Sequence, residues 1–346
     1  MDFYKRPQPN TRRWLWLICA FAGTLLLAFV PGTAWLNLPE SSDPLLLLFV
    51  CALKQLLTAA LLLIVPALIA HAAHTNGLFV LPLIGFAAFG FAYLLTRDLT
   101  SALCTLLLIA LPGVGLFVLQ KRKLSNFRTV LGLSALTLFA LFGYLCLKDL
   151  IENGNAYLPF KQVVLLYERM VKGIEPYFSP NDAYFQAIAD LIAEAKLTPE
   201  AIGLPALVIP AMCAGLSNVL FSHLFNRGGD ADLAELPPFS EWRCERMFVY
   251  IATGFALLTY ILALLNVNGM DTLASIALLV WRLPCGLAGL SAARRLSLRT
   301  HKTWIFIIIC CAAFTLPTFG LTMLSLLGMI ASIGNRMNDR KDGTLQ

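Results

Sequence analysis

The sequence predicts an all-α, polytopic integral membrane protein with about eight to ten transmembrane helices and one extracytoplasmic helical hairpin. The first observation is composition: 58% of the 346 residues are hydrophobic and 13% are charged, whereas about 25% of an ordinary soluble domain is charged. The second is that apolar runs recur along the chain, several of them near the ~20 residues that a spanning helix requires. The third is that basic residues gather between these runs.

Eight apolar runs predict eight spans, and none of them contains an Asp or a Glu. The first run follows a basic segment, as in a signal peptide, but it is too long for the apolar part of one and predicts a retained span. The runs lie at residues 14–36, 45–70, 77–95, 101–119, 129–147, 203–225, 247–265 and 273–292.

A ninth apolar run, residues 304–334, allows two interpretations. Its 31 residues are too many for one untilted helix, and Pro317 interrupts it. One span would place the basic tail with Arg336, Arg340 and Lys341 outside, whereas a hairpin that turns near Pro317 would return the tail to the inside. The charge rule favours the hairpin, although each of its arms is short, and the total therefore stays at eight to ten spans.

The positions of the basic residues predict the topology. The net charge is +6, and basic residues concentrate before residue 14 and in the loops 121–128 and 294–302. With the N-terminus inside, alternation of the spans puts both loops inside as well, as the positive-inside rule requires. This pattern predicts a multi-pass protein of the cytoplasmic membrane and argues against a nucleic-acid-binding surface.

Residues 148–200 form the one substantial hydrophilic segment of the sequence, and alternation places it outside. Apolar residues recur there at helical spacing in two stripes, from Phe160 to Ile174 and from Phe185 to Ala195. The stripes predict a hairpin of two amphipathic helices. We interpret it as a packed connector, with a lid or a partner-docking element as the alternative.

A second distinctive segment, residues 226–246, is predicted to form a cytoplasmic elbow. In its motif LPPFSEW, Pro237 and Pro238 exclude a continuous helix. Phe239 and Trp242 suit the headgroup region of a bilayer. The elbow would lead the chain from the cytoplasmic side into the seventh span.

The chain is thus expected to divide into three parts. They are a five-span N-terminal membrane half (1–147), the extracytoplasmic hairpin (148–200) and a C-terminal membrane half that includes the elbow (201–346).

Lys54 and Arg282 each lie near the middle of an apolar run that has no acidic residue. An uncompensated cation at that depth costs roughly 2.5 to 3.5 kcal/mol. Either these side chains extend toward an interface or backbone carbonyls, or they meet an anionic guest. We therefore predict Lys54, Gln55, Asn218 and Arg282 as candidate ligand-binding residues. Asn218 and His223 have a further interpretation as hydrogen-bonding residues between helices.

The sequence has none of the common catalytic motifs: H-E-x-x-H, G-x-S-x-G and the glycine-rich phosphate loops are all missing from it. His71 and His74 have i,i+3 spacing, but two ligands without a nearby Cys or carboxylate are too few for a metal site. The cysteines in the apolar runs are interpreted as small packing residues. We therefore expect no enzymatic activity, no metal and no cofactor.

Three short motifs carry a resemblance to a known family. They are LPPFSEW before a span, WRLPCGLAGL in a later span, and LLGMIASIGNR at the end of the last apolar run. Together they resemble the YybS-like family of uncharacterised multi-pass bacterial membrane proteins, most strongly over residues 200–337. Members usually have an acidic residue after the final glycine, whereas this chain has Ala331 and Ser332 after Gly328.

That family is sometimes grouped with the membrane-embedded substrate-binding components of energy-coupling vitamin transporters, a link that implies small-ligand binding through analogy of fold. The expected function is therefore membrane-embedded binding or transport of a small solute, with an anionic ligand as the specific hypothesis. The alternative is a non-transporting scaffold or regulator of a membrane assembly. The expected partners are the bilayer of the bacterial inner membrane, a small anionic solute and other membrane subunits, and not nucleic acid.

Overall fold

The computed structural model describes residues 10–32, 44–97, 99–154, 183–197, 199–226, 236–315 and 317–334, together with the positions 164, 168, 171, 172, 175 and 233. The regular elements in these ranges are all helical. They are α1 (Asn10–Gly32), α2 (Pro44–Asn76), α3 (Val80–Thr96), α4 (Leu99–Thr105), a π-helical turn (Leu106–Ala110), α5 (Leu111–Lys121), α6 (Asn126–Asn153), α7 (Ala183–Leu197), α8 (Pro199–Phe225), a 3₁₀ turn (Phe239–Glu241), α9 (Arg246–Leu264), α10 (Met270–Arg299), α11 (Thr303–Thr315) and α12 (Pro317–Ile333).

The chain forms two compact units. The first contains residues 1–203 and 210–234, and the second contains residues 204–209 and 235–346. The three-part division expected from the sequence, with boundaries after residues 147 and 200, stays a prediction.

The core of the first unit is built from helices α1 to α6 and from the C-terminal part of α8. Fully buried aliphatic side chains such as Val65, Ile69 and Leu116 pack at its centre, where α2, α5 and α6 meet. A π-helical turn joins the end of α4 directly to the start of α5, so the chain stays helical through all three elements. Pro112 lies at the start of α5 and has no N–H to donate. A π-turn next to such a position is a common way to keep the remaining backbone groups hydrogen-bonded.

The second unit depends on a close crossing of α10 and α12. A Cβ atom added to Gly289 would overlap the carbonyl oxygen of Leu324, and one added to Gly328 would overlap that of Cys285. The two backbones are therefore in direct contact, which small residues permit in membrane helices. Small residues of CGLAGLSAA thus form one side of this crossing, and Gly328, in the closing motif, has a structural role on the other side.

Helices α11 and α12 turn back on each other. A Cβ atom on Gly320 would overlap the backbone of Ala313, although residues seven apart in a continuous helix lie ~10 Å from each other along its axis. The run 304–334 is therefore not one straight helix. At 13 and 17 residues, the two helices are about 20 and 26 Å long, and both are shorter than a ~30 Å hydrocarbon core.

The end of α12 returns to the side of the unit where α10 ends. The backbone N–H of Cys244, just before α9, donates to Oγ of Ser332 at 3.3 Å. Near the end of α10, Nε of Arg295 donates to the carbonyl oxygen of Ser240 at 2.9 Å. Both contacts involve the segment that precedes α9, so the end of α10 and the end of α12 lie on the same side of the unit. Helix α11 therefore runs away from that side, and α12 runs back to it. The geometry agrees with the hairpin interpretation of the last run, while the tail residues Arg336, Arg340 and Lys341 lie outside the described residues.

The helices have the length and the surface of membrane spans. Within the described ranges, five are long and apolar enough to cross a membrane: residues 59–76, 126–148, 203–225, 246–264 and 270–299. Large apolar side chains on α9, such as Tyr250, Ile251 and Leu258, are more than half exposed, which is favourable in lipid and not in water. The protein is a membrane protein with several transmembrane helices. The total of eight to ten spans stays a prediction.

The segment 148–200 is described in part. Helix α6 continues to Asn153, and α7 covers the second predicted amphipathic stripe. Most of the first stripe, from Phe160 to Ile174, lies outside the described residues. Glu168, one of its described positions, contacts Lys172 at 2.8 Å and Lys196 of α7 at 2.5 Å. An ion pair therefore joins the first half of the segment to α7, and the complete hairpin stays a prediction.

Substitution at the α10–α12 crossing should destabilise the second unit. Gly289→Ala would push a methyl group into the backbone of α12, and overpacking of this kind costs about 1 to 3 kcal/mol or more. Thermal unfolding of the purified protein in detergent should then occur at a lower temperature. Gly254→Ala in α9 is the control, because nothing lies within 4 Å of its added Cβ and alanine is the better helix former by about 0.5 to 1 kcal/mol. Equal unfolding temperatures for the two variants would contradict the close crossing.

The ion pairs of Glu168 should make the segment 148–200 sensitive to acid. Hydrogen bonds from Lys172 and Lys196 lower the pKa of Glu168 below its ordinary value of 4.5. The carboxylate therefore stabilises the folded segment above pH 4.5, and this contribution is lost as the pH falls through the lower, folded-state pKa. Amide hydrogen exchange in α7, corrected for its intrinsic pH dependence, should accelerate in that range.

Glu168→Gln should give the faster exchange already at neutral pH, since it removes the charge at every pH. Asp190→Asn, at an exposed position of α7, is the matched control and should leave the exchange unchanged. If the native protein and Glu168→Gln exchange equally fast at neutral pH, the contact does not hold the segment.

Candidate functional site

Asn218 in α8 repairs a break in α2. Pro66 lies inside α2, so the carbonyl oxygen of Leu62 lacks the N–H that would normally reach it. Nδ2 of Asn218 donates to that oxygen at 2.9 Å, and Oδ1 of Asn218 accepts from the backbone N–H of Ala67 at 2.9 Å. Asn218 is 1% exposed. One buried amide thus replaces both partners that α2 loses at its proline.

Two further bonds complete this contact. Nδ2 of Asn218 also donates to the carbonyl oxygen of Ala214 at 2.8 Å, within its own helix. The neighbouring Ser217 donates its hydroxyl to the carbonyl oxygen of Leu63 at 3.1 Å. The prediction that Asn218 hydrogen-bonds between helices is confirmed. Its assignment as a ligand contact stays a prediction, and both of its amide protons are already in use.

A second buried polar group joins α2, α5 and α8. Nε2 of His74 lies 3.2 Å from Oε1 of Gln120, and Nε2 of Gln120 donates to Oγ of Ser222 at 2.6 Å. His71, one turn before His74, is buried and packs edge-on against Trp16, with 4.6 Å between the ring centroids. These two histidines take part in packing and hydrogen bonding between helices. Within the described part of the chain, no three His, Cys, Asp or Glu side chains gather in a way that could hold a metal ion.

His223 makes the interhelical contact that the sequence suggested for it. Its Nε2 lies 3.1 Å from Oδ1 of Asn126, at the start of α6. Nearby, a Cβ atom on Gly215 would overlap the hydroxyl of Ser134, so α6 and α8 also approach closely. Polar contacts and small residues together hold this part of α8 within the first unit.

Lys54 and Gln55 belong to α2, but their side chains lie outside the described residues. Their described neighbours Leu53, Leu56 and Leu57 are exposed. The hypotheses that Lys54 and Gln55 contact a ligand, and that Lys54 shares a site with Arg282, stay predictions.

Arg282 lies near the middle of α10, and part of its side chain is buried. Its Nε atom is shielded from solvent and has no hydrogen-bond partner among the described residues. The preceding residue, Trp281, is 8% exposed, and its indole N–H is likewise buried without a partner. Two adjacent positions of one apolar helix therefore carry N–H donors that the described protein groups do not satisfy.

Near Arg282, a proline interrupts the hydrogen bonding of α10, and a serine of α12 contacts its backbone. Pro284 lies inside α10 and removes the N–H that the carbonyl oxygen of Val280 would accept. The hydroxyl of Ser325 in α12 lies 2.8 Å from the carbonyl oxygen of Arg282 and 2.6 Å from that of Leu321. The backbone of Arg282 is thus held against α12, while its side-chain Nε has no acceptor among the described residues.

Sequence reasoning did not single out Trp281 or Ser325. Trp281 could have been noticed, because an indole N–H beside a buried cation is a second donor without an obvious acceptor. Ser325 could not have been, since one serine in an apolar run has many possible partners.

The elbow residues form a compact turn. The indole N–H of Trp242 donates to the carbonyl oxygen of Pro237 at 2.9 Å. The rings of Phe239 and Trp242 meet edge to face, with centroids 5.4 Å apart. Pro238 immediately precedes the 3₁₀ turn. These contacts fix the path of LPPFSEW, although part of 226–246 lies outside the described residues.

The closing motif contacts the C-terminal end of the elbow. Oγ of Ser332 accepts from the backbone N–H of Cys244, and the carbonyl oxygen of Ser332 lies 3.4 Å from Nε of Arg246. Ser332 stands in the region where the resembling family usually has an acidic residue. In this chain the position serves as a hydrogen-bonding anchor.

Comparison with known proteins gives a family and no function. The family described as "Predicted membrane protein (DUF2232)" matches residues 45–331, most of the chain. The chain belongs to this family. No curated protein and no solved structure matches it. Membership in DUF2232 confirms the expected kinship with uncharacterised multi-pass membrane proteins, and the matched region includes Lys54, Asn218, Arg282 and the elbow.

The contact between Asn218 and the Pro66 break can be measured by a double-mutant cycle. Asn218→Leu should destabilise the protein by about 1 to 3 kcal/mol, because it leaves buried backbone groups without partners. In a Pro66→Ala background the penalty should be smaller, since an alanine at this position has a backbone N–H that can donate to Leu62 and restore the helix. Thermal or denaturant unfolding in detergent provides the four free energies.

Thr137→Val is the control for this cycle, because the hydroxyl of Thr137 bonds within its own helix, to Leu133 at 2.8 Å. Its effect should be the same with and without Pro66. A penalty for Asn218→Leu that does not change in the Pro66→Ala background would contradict the repair.

Proposed function

We propose that this protein is a membrane-embedded binding protein for a small anionic solute, with Arg282 as the charged contact. One observation carries the proposal: the Nε of Arg282 is buried, near the middle of a 30-residue apolar helix, without a hydrogen-bond partner among the described residues. A buried N–H donor without an acceptor costs about 1 to 3 kcal/mol, and more when the group is charged. An anionic ligand would supply the missing acceptor and the missing charge.

The alternative for Arg282 is a side chain that extends along lipid toward an interface. The shielding of Nε from solvent favours a side chain that stays partly within the protein. The indole N–H of Trp281, one residue earlier, is also buried without a partner among the described residues. Consecutive helix positions lie about 100° apart around the axis, so the proposal requires a ligand contact from Arg282 alone.

Transport would be an extension of binding. Two positions near the candidate site interrupt the regular helix hydrogen bonding: Pro284 inside α10, and the boundary between Thr315 and Pro317 that separates α11 from α12. Such interruptions are common places for helices to bend. A transporter would use bending there to open the Arg282 region to one side of the membrane and then to the other.

Arg282→Met tests the proposal, because it keeps most of the aliphatic stem and removes the charge. In the ligand-free protein the unfolding temperature should stay the same or rise, since the change removes a partly buried charged group whose Nε has no acceptor among the described residues. The native protein in lipid nanodiscs should be stabilised by at least one member of a panel containing acetate, benzoate, succinate and inorganic phosphate. Arg282→Met should lose that stabilisation.

Arg246→Met is the matched control, because Nε of Arg246 has an acceptor in Ser332. This change should lower the unfolding temperature and keep the response to the anion. The proposal fails if Arg282→Met destabilises the ligand-free protein as much as Arg246→Met does, or if no anion of the panel stabilises the native protein. The second result is the one that a membrane scaffold predicts.

A further inference from the structure

A second group of arginines surrounds a cavity at the elbow. The cavity has a volume of about 690 Å³ and is lined by Ser240, Glu241, Arg243, Arg295, Leu298 and Arg299. The first three residues belong to the elbow, and the last three belong to the final turns of α10. The cavity thus lies between two segments of the second unit that already contact each other.

One hydrogen bond holds Arg295 in place, and another of its donors has no acceptor among the described residues. Its Nε donates to the carbonyl oxygen of Ser240 at 2.9 Å, which ties α10 to the elbow. Its Nη2 is buried and has no hydrogen-bond partner among the described residues. Because one edge of the guanidinium is anchored, the remaining N–H groups are held in a constant orientation. They can bind an acceptor without a large loss of side-chain entropy.

The charges of the lining residues are not balanced. Three guanidinium groups stand against one carboxylate, that of Glu241. No ion pair joins Glu241 to Arg243, Arg295 or Arg299, all of which are described. Arg243 and Arg299 are exposed and can turn toward a ligand. Several like charges around one cavity repel one another, and a bound anion relieves this repulsion.

The lining favours a phosphate group over other anions. The planar guanidinium fork matches two oxygens of a phosphate, and several arginines can share its oxygen atoms. The cavity exceeds the size of a phosphate ion and could also admit the group that a phosphate ester carries. Leu298 supplies an apolar wall. Phe239 and Trp242 lie in the same elbow and are residue types that favour the headgroup region of a membrane.

We propose that this elbow cavity is a binding site for a phosphate group, carried either by an acidic lipid headgroup or by a soluble phosphate ester. The site is distinct from Arg282, because Arg295 follows it by 13 positions of the helix, which correspond to about 20 Å. It would operate at the membrane surface and does not depend on an anion at Arg282.

The test uses the full-length protein and two double variants that remove the same number of charges. Arg243→Gln/Arg299→Gln removes the two exposed cavity arginines. Arg294→Gln/Lys302→Gln removes one charge near the end of α10 and one from the turn that follows it, and neither residue lines the cavity. Arg294 lies over the ring of Phe306 at 5.6 Å. Thermal unfolding checks that both variants stay folded.

Two measurements separate the sources of the phosphate. In mixed micelles of phosphatidylcholine and phosphatidylglycerol, mass spectrometry of the purified protein measures which lipid is retained. In detergent without added lipid, equilibrium dialysis measures binding of glycerol 1-phosphate. The native protein should show selective retention of phosphatidylglycerol, binding of glycerol 1-phosphate, or both. The cavity variant should lose about tenfold or more of that binding, and the control variant should keep it.

Each result has a definite meaning. Retention of phosphatidylglycerol alone assigns a lipid headgroup, and binding of glycerol 1-phosphate alone assigns a soluble ester; either supports the site when the cavity variant loses it. Equal losses in the two double variants would show that diffuse surface charge attracts the anion, and the proposal would be wrong. It would also be wrong if the native protein neither prefers phosphatidylglycerol nor binds glycerol 1-phosphate.

Discussion

The requirement that buried backbone groups be hydrogen-bonded governs much of this structure. In a bilayer there is no water to satisfy a free carbonyl, so a proline inside a helix must be compensated by other groups. The chain does this in different ways. At Pro66, the side chain of Asn218 takes both positions that the helix loses. At Pro112, a π-helical turn comes directly before the proline-containing helix, and at Pro317 one helix ends and another begins.

The same requirement explains which polar residues are buried. Asn218, Ser217 and Ser325 all bond backbone carbonyls of a neighbouring helix. Helices held in this way can lie very close together when glycine or another small residue stands at the crossing, as it does at Gly289 and Gly328. Hydrogen bonds from side chains to the backbone of a neighbouring helix require a short distance between the two helices. Small residues at the crossing provide that distance, so the two features are coupled.

The sequence is sufficient to predict the fold class, because composition and run length reflect the bilayer directly. It also predicts the interhelical bonds of Asn218, since a buried amide has few other uses in lipid. It does not give the exact partners, because Leu62 and Asn218 are more than 150 residues apart and hydropathy contains no information on pairing. The cavity at the elbow was missed for a related reason. The positive-inside rule already accounts for Arg295 and Arg299. Nothing else in the sequence indicates that these two arginines also line a cavity.

Arg282 and Arg295 show that a buried N–H without an acceptor has different consequences in the middle of an apolar helix and near its end. Both arginines belong to α10, and each has one buried nitrogen without a partner among the described residues. At Arg295 the anchored guanidinium borders a cavity between the elbow and the end of α10, which under the proposal above lies at the membrane surface, within reach of ions and headgroups. At Arg282 the surroundings are apolar, so an anion that reaches it must first lose its own hydration, at a cost that only close charge pairing in a low dielectric can offset. A site at the elbow would therefore bind ligands that the membrane surface concentrates, whereas a site at Arg282 would have to select its ligand from solutes able to enter the helix bundle.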